Sequence, residues 1–190
     1  MRSLGAYNFL TLNGFFRGPQ DDISWHTHGG EEEQFSVESL QGDGILVFGR
    51  KTYEMMASFW PTPAAAAQFP EVAAGMNRAE KIAFSRKPFT PRWDNTRVIT
   101  GDIVNEVRAL KATPGKNLTI LGSGSIISLF TEHRLIDEYQ FMIDPVAIPD
   151  GTPVFAGITS KLDLELTGSK VLESGVVLLS YRPRRLRTAR

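Results

Sequence analysis

Two segments of the chain combine glycine, hydroxyl and cationic residues in an order that suits a phosphorylated ligand. They span residues 44–54 and 117–126, and in each an apolar run of strand character meets a glycine-containing turn and then a helix-forming stretch. Free backbone N–H groups and the positive end of the helix dipole favour a phosphate at such a turn. We interpret the two turns as halves of one anion cradle.

The side chains at the two turns support this interpretation in different ways. Arg50 and Lys51 add fixed positive charge to the first turn and Thr52 adds a hydroxyl donor, whereas Gly122 and Gly124 let the backbone of the second turn approach a ligand closely. Neither turn matches the full Rossmann or P-loop fingerprint, and each taken singly is also typical of a structural corner. The prediction of a dinucleotide site therefore rests on their joint occurrence.

The elements that would position these turns alternate between strand and helix. Apolar runs predict strands at 6–12, 45–48, 81–84, 96–99, 118–121, 138–143 and 176–181, and helical patterns occur at 31–40, 53–59, 104–111 and 126–132. Strands that alternate with helices and are then followed by strands alone predict an α/β fold. We expect a mainly parallel, mixed central sheet with antiparallel C-terminal strands.

Composition is compatible with one domain, which we assign to residues 1–183, followed by a basic tail at 184–190. The chain has 190 residues, 42% of them hydrophobic, a formal net charge of zero and no cysteine. Zero net charge argues against partners such as nucleic acid or an anionic membrane, and no apolar run approaches the roughly 18 residues of a membrane span. The absence of cysteine fits the reducing cytoplasm, where we expect a soluble protein.

Two stretches allow more than one interpretation. Residues 61–74 are rich in proline and alanine, which favours a surface excursion with about one helical turn, or alternatively a loop that covers a substrate pocket. Residues 182–190 carry five arginines and no acid. A solvated, partly disordered end is the preferred interpretation of this tail, and nucleic-acid binding is the alternative.

Four stretches together make the chain similar to a known family. Residues 11–15, 47–54, 119–124 and 135–155 resemble, in order, four motifs of the dihydrofolate reductase-like superfamily. The similarity is to the branch that includes the C-terminal reductase domain of the bifunctional riboflavin-pathway deaminase-reductase, the RibD C-terminal domain. The chain departs from the pattern at 148–151, where a glycine pair is usual. The resemblance implies a three-layer α/β/α fold.

By this resemblance the cofactor is NADPH. Arg50 would meet the 2′-phosphate of the adenosine, with residues 85–87 beside it, although Arg86 and Lys87 also fit an ordinary solvated strand end. Residues 122–126 would wrap the pyrophosphate and approach the nicotinamide. The implied cofactor-binding residues are Asn13, Gly14, Phe16, Gly49, Arg50, Lys51, Thr52, Ser85, Arg86, Lys87, Gly122, Ser123, Gly124, Ser125 and Ile126.

The resemblance also implies where the chemistry takes place. Residues 13–25 correspond to a mobile loop that closes over the nicotinamide, with Trp25 either as its lid or as a core side chain. The helix that follows opens with Glu31, Glu32 and Glu33. One of them, with Glu31 and Glu32 the first candidates, would be a buried acid or a substrate anchor, unless all three simply complement the helix dipole.

Two histidines lie close to these glutamates in the sequence. We expect His26 and His28 to be solvated loop residues, and the alternatives are a proton donor or a pair of metal ligands. Hydride transfer requires no metal, so no metal site is predicted.

The leading hypothesis is an NADPH-dependent oxidoreductase that transfers hydride to a small pterin- or pyrimidine-like heterocycle or a carbonyl compound. One alternative is a catalytically inactive dinucleotide-binding module that acts as a sensor or subunit. Another is the 5-amino-6-(5-phosphoribosylamino)uracil reductase of riboflavin biosynthesis, and a third is a fold that binds no nucleotide. The expected partners are a small-molecule substrate and, by family analogy alone, a second copy of the chain in a homodimer.

Overall fold

The protein, whose computed structural model describes residues 1–184, is built on an eight-stranded mixed sheet. The described residues form ten strands, of which eight make up this sheet: β1 (Leu4–Thr11), β2 (Phe15–Arg17), β3 (Ile45–Gly49), β4 (Lys81–Ser85), β5 (Thr96–Thr100), β6 (Leu118–Leu121), β7 (Glu138–Asp144), β8 (Thr152–Pro153), β9 (Leu164–Val171) and β10 (Val177–Pro183). Its helices are α1 (Gly30–Leu40), α2 (Arg50–Phe59), α3 (Pro63–Gln68), α4 (Pro70–Arg78), α5 (Ile103–Ala112) and α6 (Gly124–Glu132), with a 3₁₀ turn at Pro19–Asp21.

The strand order in the large sheet is β5-β4-β3-β6-β1-β7-β10-β9, while β2 and β8 pair separately. The first six strands of this order, from β5 through β4, β3, β6 and β1 to β7, pair in parallel. Strand β10 is antiparallel to both β7 and β9. This confirms the predicted sheet, which is mainly parallel with antiparallel C-terminal strands. Because the carboxyl ends of parallel strands meet at one edge, the turns after β3, β4 and β6 are collected there.

Alternation along the central strands divides the core between the two faces of the sheet. On β3, Val47 packs in the cluster that contains Val107 of α5 and Phe130 of α6. Its neighbour Phe48 packs on the other face with Tyr53 of α2 and with α4. Since successive strand side chains point to opposite faces, one buried strand serves both clusters. Helices therefore cover both faces, which gives the predicted three layers.

The proline-rich segment 61–74 differs from its prediction. Instead of an excursion with one turn, it forms α3 and most of α4, and Val72 is buried. Pro63 and Pro70 begin these helices, because the fixed φ and missing N–H of proline suit the first helical turn. The Thr62 hydroxyl oxygen caps α3 by accepting a hydrogen bond from the backbone N–H of Ala65 at 3.2 Å.

Strand β9 was absent from the prediction. Most of its side chains are exposed, with Leu166 53% and Val171 70% accessible, so no alternation of burial marks it. Backbone pairing with β10 forms it at the edge of the sheet. Of the predicted tail, all but Arg184 lies outside the described residues. Within residues 1–184, none of the helices has the length and hydropathy of a membrane span.

Beyond Tyr7 the sheet splits at its carboxyl edge. Strand β6 pairs with β1 from Leu4 to Tyr7 and ends there, whereas β1 continues to Thr11 alongside β7. The Gly122 N–H donates to the Tyr7 carbonyl at 3.0 Å and closes the junction. The last four residues of β1 therefore lack a β6 partner, which leaves a gap in the middle of the parallel sheet.

At the start of β4, Lys81 is buried with 1% of its surface exposed. Its Nζ donates to the carbonyls of Asn77, Ala79 and Asp94 at 3.3, 2.6 and 3.2 Å, and lies 4.4 Å from the centroid of the Trp93 ring. Burial lowers the pKa of Lys81 to about 8. The three carbonyls and the indole ring offset part of this desolvation and tie the end of α4 to the loop before β5.

Replacing Lys81 with methionine should lower the free energy of unfolding by about 2–4 kcal/mol, because three carbonyls lose the buried donor that they share. Lys116→Met is the matched control, since Lys116 is 40% exposed and pairs with Glu80 at 2.8 Å. That surface pair should contribute less than about 1 kcal/mol. Urea unfolding measures the loss of unfolding free energy in both variants. Equal losses would show that the buried hydrogen bonds of Lys81 stabilise the protein no more than a surface ion pair does.

Candidate functional site

The two strand-to-helix turns predicted to form a cradle touch each other directly. The Gly49 N–H donates to Ser123 Oγ at 3.0 Å, and the same hydroxyl donates to the Leu121 carbonyl at 3.2 Å. Ser123 is buried, has a φ of 53° and precedes the first residue of α6. A Cβ at Gly49 would lie only 3.0 Å from Ile126 Cγ1. The structure thus brings residues 49–52 and 122–126 together at the split in the sheet.

A cleft of about 980 Å³ opens at this split. It is walled by β1, the loop after β2, α1, α2 and α4, with the end of β6 at its base. The predicted site residues that line it are Phe16, Glu32, Lys51, Thr52, Gly122 and Ser123. Those that do not are Asn13, Gly14, Trp25, Glu31, Gly49, Arg50, Ser85, Arg86, Lys87, Gly124, Ser125 and Ile126.

Some of the residues outside the cleft are adjacent to it. Gly124 lies against the ring of Phe16, where an added Cβ would overlap the ring. Asn13 turns away, since its Nδ2 donates to the Ile148 carbonyl at 2.8 Å. Trp25 is partly exposed, and its Nε1 donates to the Asp22 carbonyl at 3.2 Å. Trp25 is therefore not a core side chain, and it does not cover the cleft in this conformation.

Two cations of the cleft share one carboxylate. Lys51 Nζ lies 2.6 Å from Asp21 Oδ2, and the Arg17 guanidinium contacts the other oxygen of Asp21. The Lys51 hydrogen bond and both positive charges lower the pKa of Asp21. Asp21 and Gln20 both have positive φ, 63° and 56°, a conformation that is uncommon outside glycine. This ion pair holds the 3₁₀ turn against the start of α2.

Arg50 lies outside the cleft, beside the turn after β4. Its Nε donates to Glu54 Oε1 at 2.8 Å, and its Cζ lies 4.8 Å from the centroid of the Phe89 ring. Ser85 Oγ donates to the Lys87 carbonyl at 2.7 Å, which shapes that turn and leaves Arg86 and Lys87 exposed. The cations predicted for the adenosine end thus flank one another at the ends of two adjacent parallel strands.

Of the acids at the start of α1, only Glu32 is buried, with 5% exposed. Its carboxylate accepts a hydrogen bond from the Ser174 hydroxyl. Glu31 is not the buried acid, since it pairs with Lys170 Nζ at 2.9 Å and accepts from the Glu173 N–H at 2.7 Å. The Glu173 and Lys170 contacts lower the pKa of Glu31. Successive helical residues point about 100° apart, so only the docked helix selects one of three glutamates.

His26 is not the solvated loop residue that we predicted. It is 5% exposed, and its Nδ1 lies 2.9 and 3.1 Å from the two carboxylate oxygens of Asp144, at the end of β7. The backbone N–H of Thr27 donates to the same carboxylate at 3.2 Å. The imidazole stacks on Phe9 with ring centroids 3.5 Å apart. His28, by contrast, is exposed, as expected.

Sequence reasoning missed the contribution of β1 and β7 to the cleft. Tyr7, Asn8 and Gln140 line it. Burial raises the pKa of Tyr7, whose hydroxyl lies 3.1 Å from Met142 Sδ. Asn8 Nδ2 is buried and makes no hydrogen bond. The sequence does contain one signal for this contribution, because Asn8 falls on the alternating positions of β1 that are otherwise apolar and buried. An unpaired polar side chain is rare at a buried strand position, so it indicates a ligand site.

Helix α4 also borders the cleft, through Phe69 just before it and through Val72 and Met76 on it. The alternative interpretation of residues 61–74 as a pocket cover therefore agrees with their position. Their alanines and prolines form short helices that bring these three apolar side chains to the cleft wall.

Comparison with known proteins matches this geometry. The model of the RibD C-terminal domain family matches residues 3–178. The uncharacterized protein YyaP of Bacillus subtilis (strain 168) is 27% identical over 173 residues, which is 90% of each chain. A protein provisionally assigned to riboflavin biosynthesis, from Shewanella sp. PV-4, has a crystal structure with a TM-score of 0.75 at 20% identity, covering 96% of this chain and 99% of that one.

A second structure identifies the fold. Dihydrofolate reductase from Enterococcus faecalis, solved with NADP(H) and RAB-propyl, has a TM-score of 0.65 at 18% identity over 96% of this chain and 97% of that one. These likenesses confirm the predicted dihydrofolate reductase-like fold.

Ser123→Ala should lower the free energy of unfolding by about 1–2 kcal/mol, because the Gly49 N–H loses its acceptor at the contact between the two turns. Ser125→Ala is the control, since Ser125 is exposed in the first turn of α6, two residues farther along the chain. Both replacements remove one hydroxyl from neighbouring positions. If chemical denaturation gives the two variants the same stability, the hydroxyl of Ser123 does not hold the turns together.

Proposed function

The chain belongs to the RibD C-terminal domain family, and on that premise we propose that it is an NADPH-dependent reductase of a small, flat heterocyclic or carbonyl compound. The observation that carries this proposal is the split sheet, where two joined strand-to-helix turns open into a cleft that contains a buried carboxylate. Bound nicotinamide supplies the hydride. The residues of the chain bind and orient the two reactants and keep water away from them.

The residues at the split fit a nicotinamide dinucleotide. Asn8 lines the cleft, and its Nδ2 is a buried donor without an acceptor, which a carboxamide or ring carbonyl oxygen would satisfy. A buried donor left unpaired costs roughly 1–3 kcal/mol, so this amide favours a ligand with an acceptor at that place. Gly122 and Ser123, both with positive φ, expose backbone at the same split. We propose that they contact the pyrophosphate.

Phosphate contacts would come from two groups of cations. Lys51 and Arg17 lie in the cleft and share Asp21, so a pyrophosphate would compete with that carboxylate for both. Arg50 lies beside the turn at 85–87, where its planar guanidinium suits the 2′-phosphate that distinguishes NADPH from NADH.

We propose that Glu32 anchors the substrate. The Ser174 hydroxyl donates to one of its oxygens, and Glu32 lines a cleft whose wall also includes the apolar side chains Val72 and Met76 of α4. A flat ring with N–H groups at its edge would satisfy the remaining oxygen while its faces contact apolar side chains. Substrates of this kind include reduced pterins and pyrimidines.

The riboflavin-pathway reductase is less well supported by the cleft. Its substrate carries a ribosyl phosphate, yet the side chains that α1 contributes to the lining are acidic or neutral, and they include Glu32 and Glu33. The two cations of the lining, Arg17 and Lys51, already share Asp21. Reduction of the phosphoribosyl substrate in a screen would restore this alternative. Binding of NADPH without oxidation by any acceptor would instead favour the inactive module.

The homodimer expected from family resemblance stays a prediction. The exposed edge strand β9, with Leu166 and Val171 accessible, is a surface that a second copy could cover. Sedimentation of the purified protein determines its oligomeric state.

Arg50→Ala should weaken NADPH binding about tenfold or more, roughly 1.4 kcal/mol, and change NADH binding less than about twofold. Parallel titrations follow tryptophan emission, since Trp60 lines the cleft. Arg108→Ala removes an exposed arginine from α5 and serves as the control. The cofactor proposal is lost if neither dinucleotide binds saturably.

Glu32→Gln should lower kcat/KM roughly 10- to 100-fold for any acceptor that the protein reduces, because the anchor loses its charge. Glu31→Gln is the control one residue away, where the side chain faces Lys170 and not the cleft. NADPH oxidation is measured with reduced pterins, pyrimidines and quinones as acceptors. Equal effects of the two substitutions would exclude a specific role for Glu32.

A further inference from the structure

A buried acid–base pair borders the cleft and has no part in the function proposed above. The side chains of His26 and Asp144 are each 1% exposed, and their contact at 2.9 Å joins the loop before α1 to the end of β7. A carboxylate in so dry a place is stable only if charge or hydrogen bonds compensate it. Here the compensation comes from the imidazole and from the Thr27 N–H.

The pair fixes the orientation of the His26 ring. Because Asp144 engages Nδ1, that nitrogen carries a proton, and the Phe9 ring stacked 3.5 Å away prevents the imidazole from tilting. The ring of His28 meets His26 edge to face, at 90° with centroids 4.7 Å apart. The buried ring of His26 is thus fixed in contact with the ring of His28.

His28 is the member of this group that solvent and ligands reach. It is exposed and lines the cleft together with Glu32. The Phe69 ring, from the segment that begins α4, lies 6.3 Å from it. The groups whose charge acts on His28 are His26, Asp144 and Glu32. Partial burial and the neighbouring His26 lower the pKa of His28, and the two carboxylates act in the opposite direction.

We propose that His28 delivers the proton that accompanies hydride transfer, and that the His26–Asp144 pair positions and polarises it. This inference rests on the proposed reductase function. NADPH, when bound, would supply the hydride whose electron pair forms the new C–H bond at the substrate C=N or C=O carbon, and it would be released as NADP⁺. The substrate nitrogen or oxygen takes a proton from the His28 imidazolium, which becomes neutral and regains a proton from water. One acceptor molecule is reduced by two electrons and one NADPH is oxidised.

The division of roles follows from position. Glu32 is buried and holds the Ser174 hydroxyl, which suits an anchor whose position is fixed. His28 is open to water and can be reprotonated after each turnover. Asp144 reaches His28 only through its charge and through His26, so it is a positioning residue.

The test is the pH dependence of kcat with NADPH and two acceptors, 7,8-dihydrobiopterin and 9,10-phenanthrenequinone. The active form carries a proton on His28, so the rate should fall as the pH rises through a pKa below about 6.5, the ordinary value for histidine. His28→Gln should remove this alkaline decrease of kcat, the alkaline limb of the pH profile, and lower kcat roughly 100-fold without changing the Kd of NADPH. His133→Gln, which replaces the exposed histidine at the end of α6, should change neither.

Asp144→Asn keeps the size of the side chain and an acceptor for His26 Nδ1 but removes the negative charge. Because the negative charge of Asp144 raises the pKa of His28, its removal should move the alkaline limb of the pH profile to lower pH. An NMR titration of His28, which requires no acceptor, should show the same lowering of its pKa in Asp144→Asn. A limb that survives in His28→Gln, or a His28 titration unchanged by Asp144→Asn, overturns the inference while NADPH oxidation continues. Absence of NADPH binding removes the proposed function instead, and this inference with it.

Discussion

The central constraint in this fold is the unequal length of two paired parallel strands. Strand β6 stops opposite Tyr7, whereas β1 runs four residues farther beside β7. The backbone N–H and C=O groups of β1 that have no β6 partner need other hydrogen-bond partners. At the end of the paired region, the Gly122 N–H donates to the Tyr7 carbonyl. The cleft, the cradle and the unpaired amide of Asn8 all lie where the ladder is interrupted. A fully paired sheet would have no opening at this place.

Around this opening, charge is distributed by the direction of the strands. Parallel strands deliver the starts of α2 and α6 to the same edge, so their free N–H groups and the adjacent cations accumulate there. Helix α1 brings Glu32 and Glu33 to the cleft from the side, while Val37 and Leu40 of the same helix pack against the cluster that contains α4. The cleft thereby has cations at the cradle and a carboxylate along α1, an arrangement that suits a phosphate-bearing cofactor and a ring with N–H groups.

Buried polar contacts hold the parts of the site together. Ser123 links the two turns, Ser174 holds Glu32, and Asp144 holds His26. Each contact joins segments more than 70 residues apart, so each depends on the complete fold. Such contacts are strong only when every partner is in place, because an unpaired polar group in a dry environment is costly. The geometry of the site and the stability of the domain are consequently linked.

The sequence alone determined the type and order of most elements, because period-two and period-3.6 patterns are local properties of the chain. It also located both strand-to-helix turns, since glycine spacing between a strand and a helix is a local signal. The sequence failed at β9, whose exposed side chains show no alternation, and at 61–74, where Pro63 and Pro70 start two helices in a segment predicted to contain about one helical turn.

Tertiary structure alone decided which polar side chains are buried. Nothing local distinguishes Glu32 from Glu31, or His26 from His28, because burial depends on the distant strands and turns that pack against them. The same holds for Asn8, which faces the cleft only because β6 ends one residue too early to cover it. Local pattern thus determined the elements and the two strand-to-helix turns, whereas long-range packing determined which residues meet in the cleft.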